Sequence, residues 1–134
     1  EKGGIPFPNK VSFISQNWKK YPALIQDSTL VTKIIDIEKT INGRAYYYIP
    51  KEKVLPFAGQ IKTGDIILIT TKKKGLDTAH VGIAIENEGQ IYLLHASVSD
   101  KKVSITTETL PDYLQRITSH SGIMIGRLIN FKSN

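Results

Sequence analysis

Three stretches decide the fold: Gly64-Asp65-Ile66-Ile67-Leu68-Ile69, His80-Val81-Gly82-Ile83-Ala84-Ile85 and Leu94-His95-Ala96-Ser97. Each is short, apolar and rich in β-branched residues, and each is bounded by Gly, Asp, Asn or Lys. That combination predicts strands over 66–71, 80–86 and 90–96, with a further one over 103–107. Two of them carry a histidine at an end, in a chain with no cysteine.

The link Glu86-Asn87-Glu88-Gly89 suits a tight hairpin. Centred on Asn87 and Glu88, it pairs Ile85 with Gln90, Ile83 with Tyr92 and Val81 with Leu94, and sets His80 opposite His95. Opposed residues share a face, with Cβ atoms about 5 Å apart. A slip of one residue sends one ring to the other face. The small neighbours Ala79, Gly82, Ala96 and Ser97 leave room for a ligand or a long side chain beside the imidazoles.

Working outward, Asn9 is positioned to cap a helix over 10–20, with Val11, Ile14 and Trp18 on one face. Pro22 limits its continuation. Asp27 or Ser28 caps a longer helix to Ile41, which Asn42-Gly43 stops. Tyr46-Tyr47-Tyr48-Ile49 reads as extended up to Pro50. Thr109-Leu110-Pro111-Asp112 resembles a capping box opening a helix to Arg116 or Ile117, and 122–131 forms a last strand. His120 reads as a polar helix-end residue. Helices followed by a mainly antiparallel sheet, with a short helix before the last strand, make an α+β domain over 1–134.

Composition sets bounds. With 134 residues, 40% hydrophobic and 22% charged, the chain is of ordinary single-domain size and content. No apolar run reaches membrane-spanning length and no signal peptide opens the sequence. The net charge of +6 favours anionic partners. Lys72-Lys73-Lys74 and Lys101-Lys102, however, fall in turns. Without a phosphate loop or aromatic-basic interleaving, nucleic acid is not expected as a partner.

Gly-Asp before a strand, His80-Val81-Gly82-Ile83 opening the next and His95-Ala96 near the end of the third resemble the NlpC-type bacterial cell-wall cysteine peptidases, a papain-like superfamily. The nearest subgroup is the N-acetylmuramoyl-L-alanine amidase-like proteins. The likeness extends over Phe13-Ile14-Ser15-Gln16, Tyr21-Pro22-Ala23-Leu24, Tyr47-Tyr48-Ile49-Pro50-Lys51 and Gly75-Leu76-Asp77-Thr78-Ala79. It runs on through Leu110-Pro111-Asp112-Tyr113-Leu114 and Gly122-Ile123-Met124-Ile125-Gly126-Arg127.

The resemblance implies a papain-like NlpC-type fold and a hydrolase of an amide bond in peptidoglycan stem fragments, working without a cofactor or metal. Muropeptides would be the partners, and the bacterial envelope or periplasm the location. His80 matches the general base, and His95 the polar residue that fixes its tautomer. The family's nucleophile is a Cys on a first helical turn, where the dipole and an imidazole lower the thiol pKa. It is expected upstream of Glu1, which makes this chain the C-terminal part of a longer protein, inactive alone. Further candidates are Asp77, receiving a substrate amide or placing a water; Tyr48, stacking on a sugar or peptide; and Ser97, donating to His95 or to substrate. Two other readings stand beside this one: a Cys-free module that binds muropeptides, and a zinc site of His80, His95 and Asp77. The truncation further predicts an open cleft beside His80, with apolar sheet surface lacking its partner.

Overall fold

The computed structural model describes residues 4–128. Seven strands, β1 (Ile5–Phe7), β2 (Tyr46–Pro50), β3 (Ile66–Thr71), β4 (Thr78–Asn87), β5 (Gln90–Ser97), β6 (Lys102–Ile105) and β7 (His120–Gly126), form one sheet in the order β1-β2-β7-β3-β4-β5-β6. Every neighbouring pair is antiparallel. Five helices are interspersed: α1 (Phe13–Gln16), α2 (Pro22–Gln26), α3 (Thr29–Asn42), α4 (Lys51–Phe57) and α5 (Leu110–Arg116). The architecture is the expected α+β. The order is more mixed, because β1 and β2 join the sheet from the helical half of the chain. The part of the expected last strand beyond residue 128 lies outside the described residues.

The expected helix over 10–20 is cut down to α1 and a 3-10 turn at Trp18–Lys20. Its N-terminal residues spend their polar groups elsewhere. Asn9 Nδ2 donates to the carbonyls of Ile41 and Arg44, Val11 exchanges bonds with the Asn42 side chain, and the Ser12 and Phe13 N–H groups share the Gly75 carbonyl. Pro22 opens α2 at a first-turn position, where its missing N–H costs nothing. α3 begins and stops as the sequence indicates, with the Asp27 carboxylate accepting from the Thr29 N–H at 3.0 Å. Thr109 caps α5 and accepts from the Asp112 N–H.

The β4–β5 hairpin turns on Glu88 (φ 52°) and Gly89 (φ 76°), not on Asn87 and Glu88. Two successive positive φ values are those of a tight hairpin turn matched to strand twist, and Gly89 takes its value at no steric cost. Ile83 therefore pairs with Leu94 and Ile85 with Tyr92, two residues from the expected register. The displacement is even, so every side chain keeps its face.

Ile67, Ile69, Ala84, Leu93 and Ile123 cover one face of the sheet and pack against Val54 of α4 and Leu110 and Leu114 of α5. Asp65, turned in by Gly64 (φ 93°), closes one end of this core: its carboxylate accepts two bonds from Arg127, at 2.7 and 2.6 Å, and the Lys62 N–H. The reverse face leaves Val81, Ile83, Val103 and Ile105 exposed. The open apolar surface thus lies opposite the face to which His80 belongs, not beside His80, because α4 and α5 already cover the inner side.

Candidate active site

His80 pairs with Ile69 across β3, so its side chain shares the inner face with the core. Gly82 follows two residues on. A Cβ there would stand 2.5 Å from Leu93 Cδ1 and 2.8 Å from the Leu94 carbonyl oxygen, so only glycine lets β5 close this tightly on β4. His95, next to that approach, reaches diagonally to His80. The His80 Nε2 to His95 Nδ1 distance is 2.7 Å, with the rings perpendicular and 4.9 Å between centroids. One proton shared between these nitrogens makes a short hydrogen bond. Burial, and then the neighbouring His95, hold the His80 imidazole below the ordinary histidine pKa.

Two further residues complete the cluster, and sequence reasoning missed both. Tyr113 of α5 presents its ring edgewise to His95 at 5.6 Å and lies 5.7 Å from the ring of His120. His120 opens β7 and is buried, with Nδ1 unpartnered among the described residues. It is not a helix-end residue: Ile117 has already turned extended, and His120 pairs with Thr71 in the sheet. Burial depresses its pKa first, followed by the charges of His80, Lys51 and Arg116. All three histidines of the chain thus belong to one cluster. The signal was hidden by a bulge: the register shifts between Thr70 and Thr71, so His120, opposite Thr71, falls on the same face as Ile123, opposite Ile69, although three positions separate them.

Beside His95 and Tyr113 opens a cleft of about 670 Å³, walled by Ser97, Lys102, Thr106 and Arg116 among others. Ser97 is therefore close to the histidines, but its hydroxyl accepts the Asp100 N–H and meets Ser99 Oγ within a turn. Asp77 is not brought into the cluster by any contact. Its carboxylate accepts the Lys10 N–H at 3.4 Å, tying the 72–77 loop to the N-terminal segment, and burial raises its pKa. Tyr48 alternates with the core residue Ile49 and projects to the reverse face, where its ring meets Phe7 edgewise at 5.1 Å. The sheet separates it from the histidines. For zinc the donor arrangement is unfavourable: the facing nitrogens of His80 and His95 point at each other and Asp77 is turned to Lys10. Among the described residues no three His, Cys, Asp or Glu converge on one ion.

Residues 8–123 match the model of the AmiA-like family, described as N-acetylmuramoyl-L-alanine amidase-like. The chain belongs to this family. A solved N-acetylmuramoyl-L-alanine amidase from Bacteroides uniformis is 36% identical, with a TM-score of 0.82 over 90% of this chain and 52% of that one. A protein from Bacteroides fragilis, provisionally described as a xylanase, is 35% identical with a TM-score of 0.84, over 90% of this chain and 53% of its own. The chain spans about half the length of these relatives. No curated protein matches it.

Proposed function

We propose that this AmiA-like chain is the histidine-bearing half of a cell-wall hydrolase of NlpC, papain-like type. The enzyme cleaves the amide between the lactyl group of N-acetylmuramic acid and the first alanine of the stem peptide, and it acts in the bacterial envelope. The observation that carries the reading is the 2.7 Å contact between His80 and His95 on the inner face of the sheet. With Nε2–H donating to His95, Nδ1 of His80 keeps a free lone pair, as a general base requires.

In the proposed reaction a cysteine supplied by residues outside these 134 loses its proton to His80. The thiolate adds to the lactyl carbonyl carbon, and the imidazolium returns the proton to the departing alanine nitrogen as the C–N bond breaks. Water, deprotonated by His80, then hydrolyses the thioester to the free acid and restores the thiol. His95 holds the His80 tautomer throughout.

The complete absence of cysteine favours one second reading: a non-catalytic module that binds muropeptides in the same cleft. A glycosidase has less support. Glycoside hydrolysis ordinarily needs two carboxyl groups free to act on one bond, whereas Glu108 in the cleft is committed to Arg116 at 2.6 Å. The test is release of stem peptide from purified muropeptides by the full-length protein, with chelator present and with xylan as a parallel substrate. Expected are turnover of the muropeptide alone, a severe loss in His80→Ala and a milder one in His95→Ala, and none from the 134-residue chain alone. Full activity in His80→Ala, or turnover by the cysteine-free chain, contradicts the proposal.

A further inference from the structure

Tyr113 joins the histidine cluster to the cleft, and its hydroxyl makes no hydrogen bond among the described residues. The ring is only 9% exposed. His95 and His120 pack on it, and the Arg116 guanidinium stands 5.3 Å from its centroid. The phenolic oxygen is not among the fully buried polar atoms that lack a partner, and Tyr113 lines the cleft. A ring clamped on several sides with a free O–H at its tip is a pre-organised donor.

We infer that the cleft beside His95 receives the peptide side of the substrate and that the Tyr113 hydroxyl donates a hydrogen bond there to a carbonyl or carboxylate oxygen. The identity of the substrate rests on the amidase reading above; the donor role does not. Three features favour peptide over sugar. First, the neighbours packed on Tyr113 leave no open aromatic face for a pyranose to stack on, so only its hydroxyl edge is offered. Second, the carboxylates that line the cleft are engaged while one of its cations is not. Glu108 is committed to Arg116, and Asp100 accepts from the hydroxyls of Ser99 and Ser104, while Lys102 has no carboxylate partner among the described residues. Such a wall suits an acceptor-rich amide and carboxylate segment. Third, burial raises the Tyr113 pKa, which keeps the phenol protonated and able to donate.

The test uses the full-length protein carrying His80→Ala, so that ligands persist, and measures binding of three probes by calorimetry: N-acetylmuramic acid, L-alanyl-D-glutamic acid and the conjugate of the two. The dipeptide and the conjugate should bind, and adding Tyr113→Phe should weaken both about tenfold, the effect of one lost hydrogen bond. The Tm should stay unchanged, and sugar binding should not respond to Tyr113. Failure of the dipeptide to bind, an unaltered Kd in Tyr113→Phe, or an equal loss for the sugar would overturn the inference. Turnover of the conjugate by the protein with His80 intact reads the amidase assignment separately. No turnover combined with Tyr113-dependent dipeptide binding rejects that assignment and upholds the donor role.

Discussion

Gly82→Ala tests how the histidine pair is held. The new methyl would lie 2.5 Å from Leu93 Cδ1, 2.6 Å from Leu93 Cγ and 2.8 Å from the Leu94 carbonyl oxygen, where ordinary contact begins at 3.4 Å. Leu93 is fully buried in the close-packed core. The carbonyl belongs to the β5 backbone, so β5 must retreat by about 0.6 Å. Overpacking of this kind costs about 2 kcal/mol, and for a domain of this size that lowers Tm by about 8 °C. The retreat also lengthens the 2.7 Å bond between His80 and His95, because His95 rides on β5. Thermal unfolding reads the first effect, and the downfield imidazole proton in NMR the second. Leu93→Ala in the same background should recover about 1 kcal/mol relative to the sum of the two single changes. It should not restore the bond, since the carbonyl contact persists. A Gly82→Ala protein with wild-type Tm and an intact downfield proton would refute the close approach and the explanation of the histidine geometry built on it.

Other outcomes follow from the same structure. His80 and His120 have depressed pKa values when folded, so the unfolded chain binds more protons below about pH 6.5; stability present above that pH should be lost as pH falls through it, and urea unfolding at pH 7.5, 6.5 and 5.5 measures the slope. Asp65, lowered chiefly by its bonds with Arg127, contributes stability present above about pH 3.9 that is lost further into acid; Asp65→Asn should abolish that second phase in the same titration. Thr109→Ala removes the α5 cap and should cost about 1 kcal/mol in denaturant unfolding, with a matching disturbance of the Tyr113 resonances. Finally, His80 should titrate higher in the full-length protein than in this chain, and NMR titration of both measures the difference.

The parts of the fold that were legible share a physical reason. β3, β4 and β5 are apolar runs with polar punctuation, and they were readable because Ile67, Ile69, Ala84, Ile91 and Leu93 turn inward into one apolar core. The hairpin register was wrong by two residues, yet the histidine pair survived, since strand side chains alternate with a period of two. Elements whose stability comes from partners far along the chain were not readable. β1 has three residues and exists only against β2, and α4 carries an internal Pro56 that argues against a helix until Val54 is seen buried beneath it. Tyr113 sits at helical spacing between Leu110 and Leu114, so its pattern is that of a core stripe. Only the tertiary placement of His95 and His120 around it distinguishes it from ordinary packing.

The cluster also constrains how a base here must work. In triads whose third member is a carboxylate, the negative charge stabilises the imidazolium formed during reaction. The third member here is an imidazole, and burial holds the pKa of His120, which shares the cluster through Tyr113, below the ordinary histidine value. Nothing in the cluster favours charge on His80; burial and His95 both oppose it. A proton taken up by His80 is then best balanced by an anion from elsewhere, and in the proposed hydrolase a thiolate formed by that same transfer would supply one beside the ring. Opposite charges at contact raise the pKa of the cation and lower that of the acid. The two groups then depend on each other: the histidines alone are a poor proton store, and the thiol alone a poor nucleophile. On the proposed hydrolase reading, His80 should therefore titrate upward when the cysteine-bearing half is present. Equal pKa values in the two proteins would mean that no anion approaches His80, and would favour the muropeptide-binding reading over the hydrolase.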